Sequence, residues 1–291
     1  MKVLVTGGAG FIGSNFIRHL INNRPVWNIV NFDKLTYAGN LSSLADITDN
    51  DNYSFIKGDI SNADDLRAIF DNRFDYVVNF AAESHVDRSL YEPGLFLQTN
   101  VIGTQNLLDL AREFNVKRFL QISTDEVYGS IETGKQADET FNLAPNSPYA
   151  ASKASADLIC RSYFKTFAMP VIITRSCNNY GPYQFPEKVI PFFITRALDN
   201  NALPLYGDGS NIRDWIYVED NCRAILAVLE KGEPGEIYNI GGNSELTNLE
   251  LTQTILKSLD KSEELIKFVA DRPAHDYRYA LDFGKIKNEL G

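Results

Sequence analysis

The chain is poor in the residues that build metal centres and covalent frameworks. Only three cysteines (Cys160, Cys177, Cys222) and three histidines (His19, His85, His275) occur in 291 residues. No cysteine pair has C-x-x-C spacing and no H-E-x-x-H occurs, so neither a disulfide framework nor a metal site is expected. Positive charge is also short: 28 Lys and Arg face 38 Asp and Glu, a net charge of −10. A nucleic-acid binder would show a basic stripe, and an anionic membrane would repel this surface. No apolar run reaches the ~18 residues that span a bilayer. The N-terminus runs M-K-V-L-V-T-G-G, a strand into a glycine turn, where a secretory signal would place an apolar stretch and a cleavage site. A reducing cytoplasm is the expected location.

What is present is the material of a large core. Hydrophobic residues make up 44% and aromatics 12% of a chain long enough for two domains or one large one. Strand signals at 2–6, 27–33, 53–57, 74–81, 118–123 and 170–175 alternate with helical patterns, the later ones near 62–72, 93–115 and 147–168. This rhythm predicts an α/β fold with a parallel sheet covered on both faces, and ligands bound beyond the carboxyl ends of its strands. Residues 176–215 read as a loop-rich segment with one helix near 189–199. A helix near 218–231, a strand at 236–240, a helix at 247–260 and a strand at 265–269 follow. The expected division is a nucleotide-binding domain at 1–175 and a smaller domain at 176–291, with some later segments packing back on the first.

Gly7, Gly10 and Gly13 follow the first strand and open the first helix. Glycines there let the backbone turn tightly and approach a pyrophosphate, which the helix N-terminus stabilises. Asp33 ends the next strand; its carboxylate would accept bonds from an adenosine ribose and repel a 2′-phosphate, favouring NAD over NADP. Asp59 and Ile60 would hold the adenine edge or, equally, begin a helix cap.

Tyr149 and Lys153 stand four residues apart in an amphipathic helical pattern, on one face. A lysine cation beside a phenol is expected to lower its pKa and make it a usable base. The same spacing at Tyr53 and Lys57 falls in a strand pattern, where the two cannot cooperate. Ser123 and Thr124, ending the fifth strand, supply a hydroxyl for a proton-handling triad. Together these features resemble the extended short-chain dehydrogenase/reductase superfamily over nearly the whole chain. That implies a Rossmann-type doubly wound sheet binding NAD and a C-terminal α/β domain for a nucleotide sugar.

Asp125 and Glu126 then narrow the chemistry. Two adjacent carboxylates facing a ligand crevice push their pKa values apart, one kept protonated to donate and one ionised to accept. An acid beside a base is what elimination of water requires. Four further segments, 81–89, 178–188, 207–215 and 272–280, complete a resemblance to the dTDP-glucose 4,6-dehydratases. The resemblance implies that Tyr149, held by Lys153, takes the sugar 4-hydroxyl proton while the C4 hydride passes to NAD. Glu126 would then remove the C5 proton, Asp125 protonate the departing 6-hydroxyl, and the hydride return to C6. Thr124 would bond the sugar near O4.

The resemblance further implies an NAD site from Gly7, Gly10, Phe11, Ile12, Gly13, Asp33, Lys34, Leu35 and Thr36. Asp59, Ile60, Phe80, Ala81, Ala82, Ser84, Thr99, Tyr149, Lys153 and Asn179 would complete it. It assigns to the sugar nucleotide Ser84, Thr124, Asn178, Lys188, Val189, Pro204, Leu205, Tyr206, Arg213 and Asn248. His275, Asp276, Tyr277, Arg278 and Tyr279 join them, with Arg213 and Arg278 as diphosphate partners. Relatives dimerise through helices matching 93–115 and 147–168. Two departures stand out. Ala274 replaces a usual glycine, a change able to shift the loop bearing Arg278, and the chain stops at Gly291 inside a helical pattern where relatives continue. The nucleobase stays open among thymine, uracil, cytosine and guanine. A 4-epimerase shares every feature except the need for Asp125 and Glu126. A C6 decarboxylase would present cations where these carboxylates stand, and a silent NAD-binding protein would need neither.

Overall fold

A computed structural model describes residues 1–291. In chain order its elements are β1 (Lys2–Thr6), α1 (Phe11–Asn23), β2 (Asn28–Asp33), β3 (Tyr53–Lys57), α2 (Ala63–Phe70) and β4 (Tyr76–Asn79). Then come α3 (Val86–Tyr91), α4 (Pro93–Phe96), a π-helical stretch Leu97–Gly103, α5 (Thr104–Glu113) and β5 (Arg118–Thr124). A 3-10 turn Asp125–Tyr128, α6 (Pro148–Phe167), β6 (Val171–Ser176), β7 (Asn178–Tyr180), α7 (Val189–Leu198) and β8 (Leu203–Tyr206) follow. The chain closes with β9 (Ile212–Tyr217), α8 (Val218–Lys231), β10 (Ile237–Ile240), β11 (Glu245–Thr247), α9 (Asn248–Ser258), β12 (Ile266–Val269) and α10 (Gly284–Leu290).

Period-two alternation in the strands separates two cores. Val3 and Val5 of β1, Val78 of β4 and Leu120 of β5 join Phe16 and Ile17 of α1 and Ile225 and Leu229 of α8. Leu4, Val77 and Phe119, their neighbours in sequence, point the other way onto α2 and α5. Burial on both faces is what a parallel sheet requires. Its seven strands run in the order β3-β2-β1-β4-β5-β6-β10, so the direction of winding reverses between β1 and β4. The seventh strand comes from beyond residue 176, and α8 beside it covers the α1 face.

Residues 176–215 contain more order than their composition suggests. β7, β8 and β9 are short: β9 pairs with β7 and with the later β11, and β8 with the later β12. Leu203, Leu205, Trp215 and one face each of α7 and α9 make a separate small core there. Tyr53 and Lys57 do lie in β3, and the Tyr53 hydroxyl accepts from Asn31. Ala274 takes the left-handed conformation with φ 54°, which explains the advantage of glycine at that position. No helix is long and apolar enough to cross a membrane.

Candidate active site

The crevice lies where the winding reverses, beyond the ends of β1 and β4. A buried polar ladder braces it from below: Thr6 donates to Asn79 at 2.6 Å and Asn79 to Gln121 at 2.8 Å. Gly7 sits at φ +70°, and a Cβ there would lie 2.5 Å from the Ala81 nitrogen. At Gly13 a Cβ would lie 2.4 Å from the Gly7 oxygen. These two glycines therefore let β1, α1 and the β4 exit pack together. Gly10, the uncapped N-terminus of α1, is the one with room on the crevice side, where a Cβ would meet nothing closer than 3.3 Å. An uncapped helix start at a glycine is a fit for a pyrophosphate.

Asp33 closes the turn. Its carboxylate accepts from the Ala9 and Leu35 amides at 2.9 and 2.8 Å, and burial pushes its carboxyl up. Leu35 itself stands behind the lining, at φ 55°. Asp59 caps no helix, since Asn62 begins α2. Instead it bonds Ser61 and pairs with Lys34 at 2.7 Å, and these contacts outweigh the upward push of burial. Phe11, Ile12, Lys34, Thr36, Ile60, Phe80, Ala81, Ala82, Ser84, Thr99 and Asn179 line the same crevice.

A strap crosses this crevice from the C-terminal half. Pro182 accepts from Asn15 at 2.9 Å, Arg18 lies 4.1 Å from the Tyr183 ring, and Phe185 packs edge-on to Tyr37. Tyr37 donates to Glu187 at 3.2 Å and Lys188 to the Ser84 carbonyl at 3.1 Å. Sequence reasoning took only Lys188 from this run and missed Gln184, Phe185 and Glu187, which line the crevice. Their signal was the aromatic pair around Gln184, a pattern without a chemical signature of its own.

Tyr149 and Lys153 enter from α6, which Ser147 caps by accepting from the Ala150 amide. Asn100, in the π-helical stretch, bonds both main-chain groups of Glu83 and the Ser152 hydroxyl, tying the β4 exit to α6. Both active groups are buried, at 9% and 5% exposure. Lys153 donates to the Ile122 carbonyl at 2.5 Å, and Thr124 stands beside the Tyr149 phenol. The expected lowering of the phenol is reversed in the protein alone: burial, then the Glu126 charge, push Tyr149 above the usual tyrosine range. Burial also lowers Lys153.

Asp125 and Glu126 occupy the 3-10 turn that leaves β5. Asp125 is 3% exposed, with Oδ1 accepting from Thr124 at 3.2 Å and Oδ2 without a partner. Burial, then the Glu126 charge, push its carboxyl up to about 8, so it carries its proton at neutral pH. Burial raises Glu126 too, but Arg213, Arg272 and Lys188 oppose it. The environments of the two carboxyls differ: the Glu126 charge adds to the rise of Asp125, whereas three cations oppose the rise of Glu126.

The cations are arranged differently from the expectation. Arg278 gives Nε and Nη2 to Glu245 at 2.7 Å each and Nη1 to the carbonyls of Glu132 and Lys135. Four of its five N–H donors are spent on the protein itself, which leaves one Nη2 hydrogen for a diphosphate. Arg213 lies 4.3 Å from the Tyr279 ring and spends Nη1 and Nη2 on the Ile212, Tyr277 and Asp276 carbonyls. Lys188 and Arg272 join Arg213 beside Glu126, and the Arg272 Nε is buried without a partner. Arg272 stood in a quoted motif, but its chemistry was credited to its neighbours.

Asn178 and Val189 line the crevice. Leu205 is in the small core, Pro204 is next to it in β8, and Asn248 starts α9. The Tyr206 hydroxyl lies 3.4 Å from Asp87, His275 pairs with Asp271 at 2.6 Å, and Tyr277 is half exposed. Asp276 accepts from Asn146 and Tyr279.

A dinucleotide crevice at the winding reversal, with a Tyr-x-x-x-Lys helix at its edge, defines a short-chain dehydrogenase/reductase of the extended type. The chain belongs to the GDP-mannose 4,6 dehydratase family, whose model matches residues 4–291. The low-salt glycan biosynthesis protein Agl12 of Haloferax volcanii is 55% identical over 99% of this chain and 92% of its own. The dTDP-glucose 4,6-dehydratase of an Actinoplanes species is 52% identical over 100% and 92%. Among solved structures, the dTDP-glucose 4,6-dehydratase DesIV of Streptomyces venezuelae, with NAD and a dTDP ligand bound, is 52% identical. It superposes with a TM-score of 0.97 over 100% of this chain and 91% of that one.

Proposed function

We propose that the chain is a dTDP-glucose 4,6-dehydratase, an NAD-dependent hydro-lyase that forms dTDP-4-keto-6-deoxyglucose and water. The observation that carries this reading is the divided pair, Asp125 protonated and Glu126 opposed by three cations, in one crevice with Tyr149 and Lys153. An epimerase has no use for an acid at C6. The names of relatives at about half identity support the same reading.

The residues fit a bound NAD. Gly10 and the start of α1 would hold the pyrophosphate, Asp33 the adenosine ribose, and Phe80, Ala81 and Thr99 the remaining wall. When bound, NAD supplies a redox store that is refilled within each turnover, and in its oxidised form adds a positive charge to the site. Tyr149 then accepts the 4-hydroxyl proton, with Lys153 held by Ile122 and Thr124 at O4. A ketone at C4 acidifies C5, and Glu126 takes that proton. Asp125 gives its own proton to the 6-hydroxyl, which leaves as water. Glu126 afterwards returns its proton to C5, and the proton taken by Tyr149 replaces, through solvent, the one that Asp125 gave up.

Division at residue 175, a cytoplasmic location and a homodimer belong to the same proposal. Leu97, Ile102 and Leu158 are 54%, 41% and 56% exposed on the helices expected to form the dimer, an apolar face suited to a second copy. Light scattering on the eluting peak tests the dimer. For the activity, the protein is incubated with dTDP-, UDP-, CDP- and GDP-hexoses and products are identified by mass and NMR. A 4-keto-6-deoxy sugar from the dTDP substrate is expected, and an epimer alone would overturn the assignment.

A further inference from the structure

Behind the catalytic pair lies a buried ion pair that the reaction scheme leaves unused. Asp157 follows Lys153 by one turn of α6, on the same face as Tyr149, and is 2% exposed. Its Oδ2 accepts from the Arg175 Nε of β6 at 2.9 Å, and its Oδ1 has no partner. Arg175 continues the chain of contacts. Its Nη1 donates to the Tyr128 hydroxyl at 2.9 Å, and its guanidinium lies 4.8 Å from the Tyr128 ring centroid. Tyr128 donates in turn to Asn239 at 2.9 Å, and Asn239 is fixed by the carbonyls of Ala137 and Asp282. Tyr128 is the last residue of the 3-10 turn that carries Asp125 and Glu126.

One end of this column is therefore the lysine that serves Tyr149, and the other is the turn that bears the elimination pair. We propose that Asp157 and Arg175 are positioning residues, which tie the Tyr149–Lys153 helix to the Asp125–Glu126 turn and keep Lys153 charged in a dry site. A buried arginine–carboxylate pair contributes little stability compared with a well-packed apolar pair of the same shape. Its use here is geometric: two catalytic units on different elements are held in one register, the precision that reacting groups need.

Burial raises the Asp157 carboxyl, and Arg175 is the first group to hold it down. Burial lowers Lys153, and Asp157 is the main group that pushes it back. Cys160, on the same helix, is buried with its thiol pushed well up by burial. Tyr149, Asp125 and Glu126 face the crevice side. Charges on the neighbouring helices are engaged elsewhere: Asp87 with Arg272, Arg88 with Glu92, Asp109 with Tyr163, Arg112 over Phe167 and Glu113 with Arg67.

The proposal rests on the dehydratase reading, and its test separates the two. Asp157→Asn, Asp157→Glu and the double variant Asp157→Asn/Arg175→Met are compared with the parent. Melting temperature, kcat and KM against pH, and the titration of Lys153 by [13C]lysine NMR are measured, the signal assigned with Lys153→Met. Asp157→Asn is expected to lower kcat about tenfold or more with KM nearly constant. It should also move the Lys153 titration to lower pH. Asp157→Glu should restore most of kcat. The double variant, with no unpaired charge, should recover the melting temperature but neither kcat nor the Lys153 titration. Recovery of kcat in the double variant, or an unmoved titration in both Asn variants, would overturn the proposal. A shifted titration in a parent that makes no keto sugar would sink the dehydratase reading and leave the electrostatic link standing.

Discussion

The Tyr279 hydroxyl stands 3.4 Å from Oε2 of Glu126 and donates to Asp276 at 2.8 Å. A phenol from the far end of the chain thus lies beside Glu126, the proposed C5 base, while its single proton rests on Asp276. The phenol is held well above the usual range by burial and the Glu126 charge, so it remains a donor throughout. Tyr279→Phe should slow C5 proton transfer about fivefold, the kinetic equivalent of ~1 kcal/mol for a hydrogen bond that the phenol can turn to Glu126. Deuterium uptake at C5 from heavy water measures this. Unchanged uptake would mean that Tyr279 only packs.

Glu126→Gln keeps the shape of the base and removes its proton-accepting charge. Turnover to the keto sugar should fall by about 10²- to 10⁴-fold. Bound dinucleotide, released by denaturation and read by absorbance, should stay at the parent stoichiometry. A normal rate in this variant would refute the assigned mechanism.

Asp125 has a pH signature of both activity and stability. Its acid form is the active one, so kcat should decline as pH rises through about 8. The folded carboxyl holds its proton far above the unfolded value, so between about pH 4 and pH 8 the native state binds more protons. Its contribution to stability is complete below pH 4 and is lost as pH rises toward 8. Asp125→Asn, neutral at every pH, should therefore melt several degrees above the parent near pH 9, with the gain shrinking toward pH 5. Scanning calorimetry at the two pH values decides it, and a constant difference would contradict the burial argument.

Arg278 should behave as a structural residue. Arg278→Ala leaves two carbonyls and the solvent-reached Glu245 without their donor, and the fold should lose about 1–3 kcal/mol in denaturant titration. At permissive temperature the KM for the sugar nucleotide should stay within about threefold, a change worth under 1 kcal/mol. A large KM increase with intact stability would return Arg278 to the diphosphate.

The sheet and its crevice were legible because their signals are local. A glycine turn after an apolar run, Asp33 at the next strand end and Tyr149 four residues before Lys153 each carry their meaning within a few neighbours. The π-helical stretch at Leu97–Gly103 was hidden in an ordinary helical pattern, since its extra residue changes the period too little to read. β8 was hidden because Pro204 demotes a strand and its partner β12 lies far along the chain. The arginines were misjudged for a related reason. Whether a guanidinium meets a ligand depends on which carboxylates and carbonyls reach it first, and Glu245, Glu132 and Lys135 are remote from Arg278 in sequence. The phenol was misjudged because the neighbours that dominate it, burial and Glu126, come from folding rather than from its own helix.

The strap at residues 181–188 separates two kinds of traffic. Pro182, Tyr183, Phe185 and Glu187 grip Asn15, Arg18 and Tyr37, and a dinucleotide in the crevice would be freed when they let go. Its residence is then governed by local unfolding of the strap rather than by how open the groove is. The molecule would acquire its dinucleotide once, at about the time it folds, and wear it as an internal part while sugar nucleotides come and go.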